Sequence, residues 1–194
     1  MVCERERERM RWHCSPSYCG AVYSNNNKLA DGCEINTNTD NNNCGFCGNP
    51  CAMGSTCISG TCVPIVTNGD FETGSFAGWA TTGCLTSVAS GGGAQHGTHY
   101  VSGGCTSNPG DSYQQTISLN VGQMYTLSAW YWGDNSAAGT TFYVGGVALF
   151  SSADTSSSWV HLSATFTATS ASEVLRFTLF NVPSFSRVDN IVVY

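Results

Sequence analysis

Residues 123–132 read Gln-Met-Tyr-Thr-Leu-Ser-Ala-Trp-Tyr-Trp, and their alternation decides the fold class. Tyr125, Leu127, Ala129 and Tyr131 share one face of an extended chain, while Ser128, Trp130 and Trp132 take the other. Successive side chains of a β-strand point to opposite faces, so the pattern is that of a strand with one buried side. The period recurs at 158–167, where Val160, Leu162, Ala164 and Phe166 oppose Trp159, His161, Ser163 and Thr165. It recurs again at 173–180, where Leu175, Phe177 and Leu179 lie together. Residues 140–150 and 187–194 add β-branched and aromatic runs broken or bounded by Gly and Asn. No segment carries an apolar stripe at helical spacing. Period-2 runs joined by turn residues predict an all-β, antiparallel β-sandwich. Roughly 130 residues suffice to fill a two-sheet core.

Upstream the composition changes near Val63–Pro64. Nine of the 11 cysteines lie in residues 1–63, and the other two are Cys84 and Cys105. Residues 14–63 are dominated by Asn, Gly and Thr, with too few apolar side chains to offset chain entropy by burial. Cross-links must supply the order, so this stretch is expected to be a small disulfide module. Cys14, Cys19, Cys33, Cys44, Cys47, Cys51, Cys57 and Cys62 are its candidate partners, in a pairing the spacing leaves open. Cys44, Cys47 and Cys51 also have spacing compatible with zinc, but no second CxxC pair follows and His13 stands alone. Asn36, Asn38 and Asp40 resemble the start of a calcium loop, yet its sixth position is Asn41 and its twelfth Cys47, so a solvated turn is expected. Residues 1–13, an alternating Glu/Arg tract without an apolar signal-peptide core, are expected to be a disordered leader.

Charge excludes several functions. The 194 residues carry 7 Lys+Arg against 13 Asp+Glu, for a net charge of −6. A basic nucleic-acid footprint is therefore excluded. No apolar run reaches the ~18–20 residues of a bilayer span. The cysteine density places the chain in an oxidising setting, secreted or at the cell surface.

Two stretches carry family resemblances. DGCEINTNTDNNNCGFCGNPCAMGSTCISGTCV, ending at Val63, resembles Stig1-type cysteine-rich repeats of exported proteins. VTNGDFETGSFAGW at 66–79, GQMYTLSAWYW, WVHLSATFTAT, LRFTLFNVPSF and the closing RVDNIVVY resemble the CenC-type carbohydrate-binding module group. This second resemblance spans 66–194 and implies a galactose-binding-like jelly roll. It also implies a structural calcium held by acidic groups of the first and last segments, here Glu72 and Asp189, with Asn190 standing where relatives carry a second Asp.

Sugar recognition in such sandwiches needs aromatic rings to cover pyranose C–H groups and polar side chains to bond hydroxyls. Trp130, Trp132, Tyr143, Trp159 and Arg176 all fall opposite the assigned core faces and are expected to line one concave sheet. Cys84 and Cys105 are expected to close a loop of about 20 residues, worth about 3 kcal/mol. No catalyst emerges. His96 and His99 lie in a Gly-rich turn, Gly74–Gly78 lacks the nucleophile-elbow order, and no pair of carboxylates stands out. The expectation is a non-catalytic extracellular protein that binds a neutral polysaccharide or glycan. The competing readings are a structural or adhesive protein contacting matrix or cell-wall protein, and a targeting fragment of a larger glycoside hydrolase.

Overall fold

The computed structural model describes residues 3–5, 12–14, 36–46, 48–84, 86–105, 110–134, 139–153, 156–180 and 185–194. The chain divides into two units, Met1–Pro64 and Ile65–Tyr194.

In the first unit, β1 (Cys3–Arg5) and β2 (Trp12–Cys14) pair antiparallel, so the expected leader contributes a short ladder. Further on, β3 (Ser55–Ile58) and β4 (Thr61–Pro64) form a hairpin. Two disulfides, Cys44–Cys57 and Cys51–Cys62, tie the loop at 36–54 to that hairpin. Their sulfurs are oxidised, so Cys44 and Cys51 are not zinc thiolates. Cys19, Cys33 and Cys47 lie outside the described residues, as does the side chain of Cys14. The Asn-rich stretch is a turn held by its own side chains: Asp40 Oδ1 accepts from Asn42 N–H at 2.8 Å and Asn36 Oδ1 from Asn38 N–H at 3.0 Å. Such Asx bonds satisfy a backbone that has no ladder to join.

The second unit has ten strands among its described residues: β5 (Ala80–Thr82), β6 (Ser87–Ser90), β7 (His99–Gly103), β8 (Asp111–Ser118), β9 (Met124–Asp134), β10 (Gly139–Val144), β11 (Val147–Ser152), β12 (Ser156–Thr167), β13 (Ser172–Phe180) and β14 (Ser186–Val193). They form two five-stranded sheets, sheet 1 in the order β11-β10-β13-β8-β5 and sheet 2 in the order β12-β9-β14-β7-β6. Every ladder in them is antiparallel. The result is an antiparallel jelly-roll sandwich.

Alternation sets which side of each strand is buried. On β9, Tyr125, Leu127, Ala129 and Tyr131 are buried, and on β13, Leu175, Phe177 and Leu179 are. Inner residues of both sheets join one core cluster. Its centre is aromatic: Phe177 stacks on Tyr113 at 4.6 Å and on Phe142 at 5.2 Å, and meets the edge of Trp79 at 5.4 Å. Offset and edge contacts of this kind add to the area each ring buries.

The Asn68–Glu72 segment is a knot at the start of the unit. Asn68 has φ 49° and Phe71 φ 56°, left-handed values that need local support. Asn68 Nδ2 donates to the carbonyls of Ser75 and Ala77, and Asn68 O accepts the Trp79 indole N–H at 3.1 Å. Gly69 O accepts Ile191 N–H at 2.8 Å, joining this knot to the last strand. A side chain is barred at Gly69, where a Cβ would stand 2.1 Å from Ile191 O.

Candidate functional site

The side chains that alternation turns outward form two separate faces, because the sheets pack through their inner sides. Tyr143 and Arg176 lie on sheet 1, whereas Trp130, Trp132 and Trp159 lie on sheet 2. The five residues therefore do not line one surface. Period-2 patterning settles inside against outside, but says nothing about which sheet a strand joins.

On sheet 1, β-ladder register sets Gln114, Arg176 and Tyr143 side by side on β8, β13 and β10. The Arg176 guanidinium carbon lies 3.9 Å from the Tyr143 ring centroid, a cation–π contact that fixes the plane of the guanidinium. The row borders an open concavity of about 490 Å³. One wall is the turn joining β10 to β11. Gly145 and Gly146 there have φ 58° and 84°, as a tight two-residue hairpin turn requires. The other wall is the 169–173 turn, whose shape comes from Glu173. Its Oε1 accepts from Thr169 N–H at 2.7 Å, Thr169 Oγ1–H at 3.0 Å and Ser170 N–H at 3.0 Å. Glu173 is largely buried, and its Oε1 is committed to that turn. The concavity thus presents a ring, a planar cation, an amide and, at its 169–173 wall, the second oxygen of Glu173, whose Oε1 alone is spent on the turn. Gln114 was not singled out by sequence, although it shares the outward parity of Ser112 and Thr116 on β8.

On sheet 2, Trp159, Trp132 and Arg187 are cross-strand neighbours on β12, β9 and β14. Arg187 lies 4.1 Å from the Trp132 ring centroid and 5.0 Å from that of Tyr100. Trp159 donates its indole N–H to Gly93 O at 3.2 Å and meets Tyr100 edge-on at 6.5 Å. Its polar atom is therefore engaged in holding the Gly-rich loop. Trp130 is half-buried beside His161, with ring centroids 5.0 Å apart.

Glu72 and Asp189 converge on the same loop from the two ends of the unit. Glu72 Oε1 accepts from Thr98 N–H at 2.8 Å and His99 N–H at 2.7 Å, and Oε2 from the Thr98 hydroxyl at 3.1 Å. These donors, the Thr98 and His99 N–H groups foremost, lower its pKa to about 2. Asp189 is fully buried. Its Oδ2 accepts from Gln95 N–H at 2.8 Å and His96 N–H at 2.9 Å, and Oδ1 from Asn190 N–H at 2.7 Å. Burial raises its pKa against the pull of those bonds. The loop must approach closely: a Cβ at Gly97, φ 61°, would stand 2.4 Å from Glu72 Cδ. Carboxylate oxygens are of the kind a hard cation takes, but all four here already accept N–H or O–H bonds. Glu72 Oε2 and Asp189 Oδ1 each accept one of these bonds, whereas Glu72 Oε1 and Asp189 Oδ2 each accept two.

Cys84 and Cys105 form a disulfide. Beside it the buried Asp111 accepts from Cys84 N–H at 2.8 Å through Oδ1 and from Gly104 N–H at 2.8 Å through Oδ2. Glu72, Asp111, Glu173 and Asp189 thus share one role, acceptor for backbone N–H groups in loops, at the start of β7 and at the irregularity of β14.

Residues 63–184 match the model of a family described as a carbohydrate binding domain. Similar solved structures include TmCBM61 in complex with β-1,4-galactotriose, at 15% identity and TM-score 0.57, over 67% of this chain and 97% of that one. The CBM22-1 xylan-binding domain from Paenibacillus barcinonensis Xyn10C aligns at 16% identity and TM-score 0.52, over 64% and 89%. The K1 cleaved adhesin domain of Lys-gingipain from Porphyromonas gingivalis W83 aligns at 13% identity and TM-score 0.50, over 64% and 95%. At such identities the likeness is one of fold. A search of curated proteins gave no match.

Proposed function

The chain belongs to the carbohydrate binding domain family, and from that premise we propose that its sheet 1 concavity takes a neutral polysaccharide, as in CenC-type modules. The row Gln114–Arg176–Tyr143 carries the proposal. Stacked on Tyr143, the guanidinium keeps its N–H fork in a set plane, so that less entropy is lost when it bonds sugar hydroxyls. The Gln114 amide donates and accepts beside it. The other face of the Tyr143 ring covers sugar C–H groups. A neutral ligand suits the second unit, whose two basic side chains are outnumbered by seven acidic ones. Chain export belongs to the same reading, because the disulfides of both units persist where thiols are oxidised. The cysteine-rich unit is then an extracellular module of the Stig1 type.

Affinity electrophoresis through gels containing β-1,4-galactan, xylan or mixed-linkage β-glucan tests the site. The wild-type chain is retarded by at least one of them, and Tyr143→Ala or Arg176→Ala weakens retardation about tenfold, the scale of a lost anchoring contact. Free migration in every gel, with capture of matrix or cell-wall protein instead, sinks the glycan reading in favour of an adhesive one.

A structural calcium forms the remaining part of the proposal. Glu72 and Asp189 would hold it, and the ion would supply electrostatic bracing of loop 95–99 and no chemistry at the sheet 1 row. Calorimetric melting with calcium or with chelator checks this. The expected result is a lower Tm in chelator, with Glu72→Gln insensitive to either. Superimposable melts of the wild-type chain would mean that the loop N–H donors close the loop unaided.

A further inference from the structure

Sheet 2 presents a second ordered surface, and the ladder between β9 and β12 defines it. Its register places Trp132 beside Trp159, Trp130 beside His161, Ser128 beside Ser163, and Thr126 beside Thr165. All eight side chains share the outward parity of their strands. The surface is therefore an aromatic end followed by two rows of hydroxyls. Neighbouring strands stand about 4.8 Å apart, and same-face residues repeat about every 6.7 Å along a strand. The hydroxyl rows thus run on from the aromatic end over more than one sugar ring's length.

The aromatic end is pre-organised. His161 Nε2 lies 2.8 Å from Ser128 Oγ, which ties the imidazole to the hydroxyl row. The same imidazole is tilted 48° against the Trp130 indole. Trp132 is backed by Arg187, and Trp159 is anchored to Gly93 O, so these side chains wall one end. From Trp130 to Thr126 on β9, and from His161 to Thr165 on β12, no outward side chain is Asp, Glu, Lys or Arg. On the neighbouring β14, Asp189 beside Trp130 is buried and holds the loop N–H groups, and Arg187 beside Trp132 is stacked on its ring. A platform for an ionic ligand would need opposite charge, whereas an indole beside neutral hydroxyls matches a neutral polyol, whose C–H and O–H groups alternate.

We propose that this outer face of sheet 2, centred on Trp130 and His161, is a second glycan-binding platform for a neutral polysaccharide lying along the β9–β12 pair. It rests on the reading of the chain as a glycan binder, but uses a different face from the sheet 1 concavity. The two faces point away from each other across the sandwich. One chain therefore bridges two polysaccharide strands rather than gripping one strand twice, and multivalent cross-linking follows without any further contact.

The full chain, mixed with beads coated with β-1,4-galactan, xylan or mixed-linkage β-glucan, gives a direct test. Bead clumping reads bridging, and gel retardation reads binding at either face. Wild-type chain clumps the beads that carry its polysaccharide. Trp130→Ala abolishes clumping but keeps the retardation supplied by sheet 1, and Tyr143→Ala abolishes clumping while keeping that supplied by sheet 2. The double variant is not retarded. His161→Ala, at an exposed position, serves as the gentler substitution and reduces clumping about tenfold in the required chain concentration. Clumping by Trp130→Ala and His161→Ala at wild-type concentration, or retardation lost entirely in Tyr143→Ala, overturns the second platform and leaves the first intact. Clumping that proceeds through chain dimers, seen in ultracentrifugation without polysaccharide, overturns it in favour of pairing between copies at the β12 edge. Failure of wild-type chain to bind any of the three overturns both platforms.

Discussion

Among the described residues of 36–64 the buried side chains are Cys44, Thr56 and Cys57, whereas in residues 65–194 they include Tyr113, Tyr125, Tyr131, Phe71, Phe142 and Phe177. Among its described residues the first region has two disulfides and a set of Asn and Asp side chains serving its backbone. Asn41 Oδ1, for example, accepts the Cys57 N–H at 2.7 Å, doing for the hairpin what a neighbouring strand does elsewhere. The second region has a continuous aromatic core and a single disulfide among its described residues. Order comes from cross-links and local polar bonds in one, from apolar burial in the other. Covalent closure acts by restricting the unfolded chain, while burial acts through each Å² of apolar surface removed from water. The two should respond to different insults.

Reduction separates them most sharply. With dithiothreitol, residues 36–64 lose amide protection entirely in hydrogen exchange, because the buried side chains among the region's described residues are two disulfide cysteines and a threonine. The sandwich stays folded and loses only what its own Cys84–Cys105 bond provides, about 3 kcal/mol. Protection surviving in 36–64 after reduction would show that the Asn-mediated bonds suffice there and that the contrast is overdrawn.

The converse insult is a cavity. Phe177 touches Tyr113, Phe142 and Trp79, and Phe177→Ala removes three of the aromatic contacts at once. Urea unfolding of the sandwich should shift by about 3–5 kcal/mol, while the disulfide-bonded region keeps its exchange protection. A shift below about 1 kcal/mol would mean the core relaxes into the space, and that burial there is less decisive than the ring geometry implies.

Much of this contrast was legible in the sequence, and the reason is that both signals are local. Alternation over 123–132 and 173–180 named the buried faces of β9 and β13, and the crowding of cysteines before Val63 named the cross-linked region. What escaped is non-local. The partner of a strand is fixed by closure of the whole sheet, so Tyr143 and Arg176 could not be separated from Trp130, Trp132 and Trp159 by inspection of each strand alone. Gln114 became visible only when β8 was seen to lie beside β13. Glu72 and Asp189 were named by the family resemblance, but the donors they bond escaped for the same reason. Glu72 reaches donors 26 and 27 residues away, and Asp189 reaches donors 94 and 93 away, separations over which no sequence spacing carries a signal.

Those two carboxylates also sharpen the contrast at its finest scale, since the sandwich too uses polar bonds where a loop lacks a strand. Their titrations oppose each other. Glu72, drawn to about 2 by the Thr98 and His99 N–H groups from an ordinary 4.5, favours the folded state fully above pH 4.5. That contribution declines as pH falls from 4.5 and is gone below about 2. In Asp189 burial outweighs the N–H bonds and the pKa is raised, so protonation on acidification favours the folded state. With divalent cations chelated, the urea midpoint of the sandwich is expected to fall between pH 4.5 and 2, and Glu72→Gln to flatten that fall. Asp189→Asn should steepen it, because the opposing titration is removed. If Glu72→Gln follows the wild-type profile through this window, the loop is held by the Asp189 end alone. Glu72 would then be an exposed acceptor with no weight in stability. Opposite changes of slope in the two variants would establish that the Gly-rich loop is pinned at both ends by carboxylates, one governed by its donors and the other by its burial.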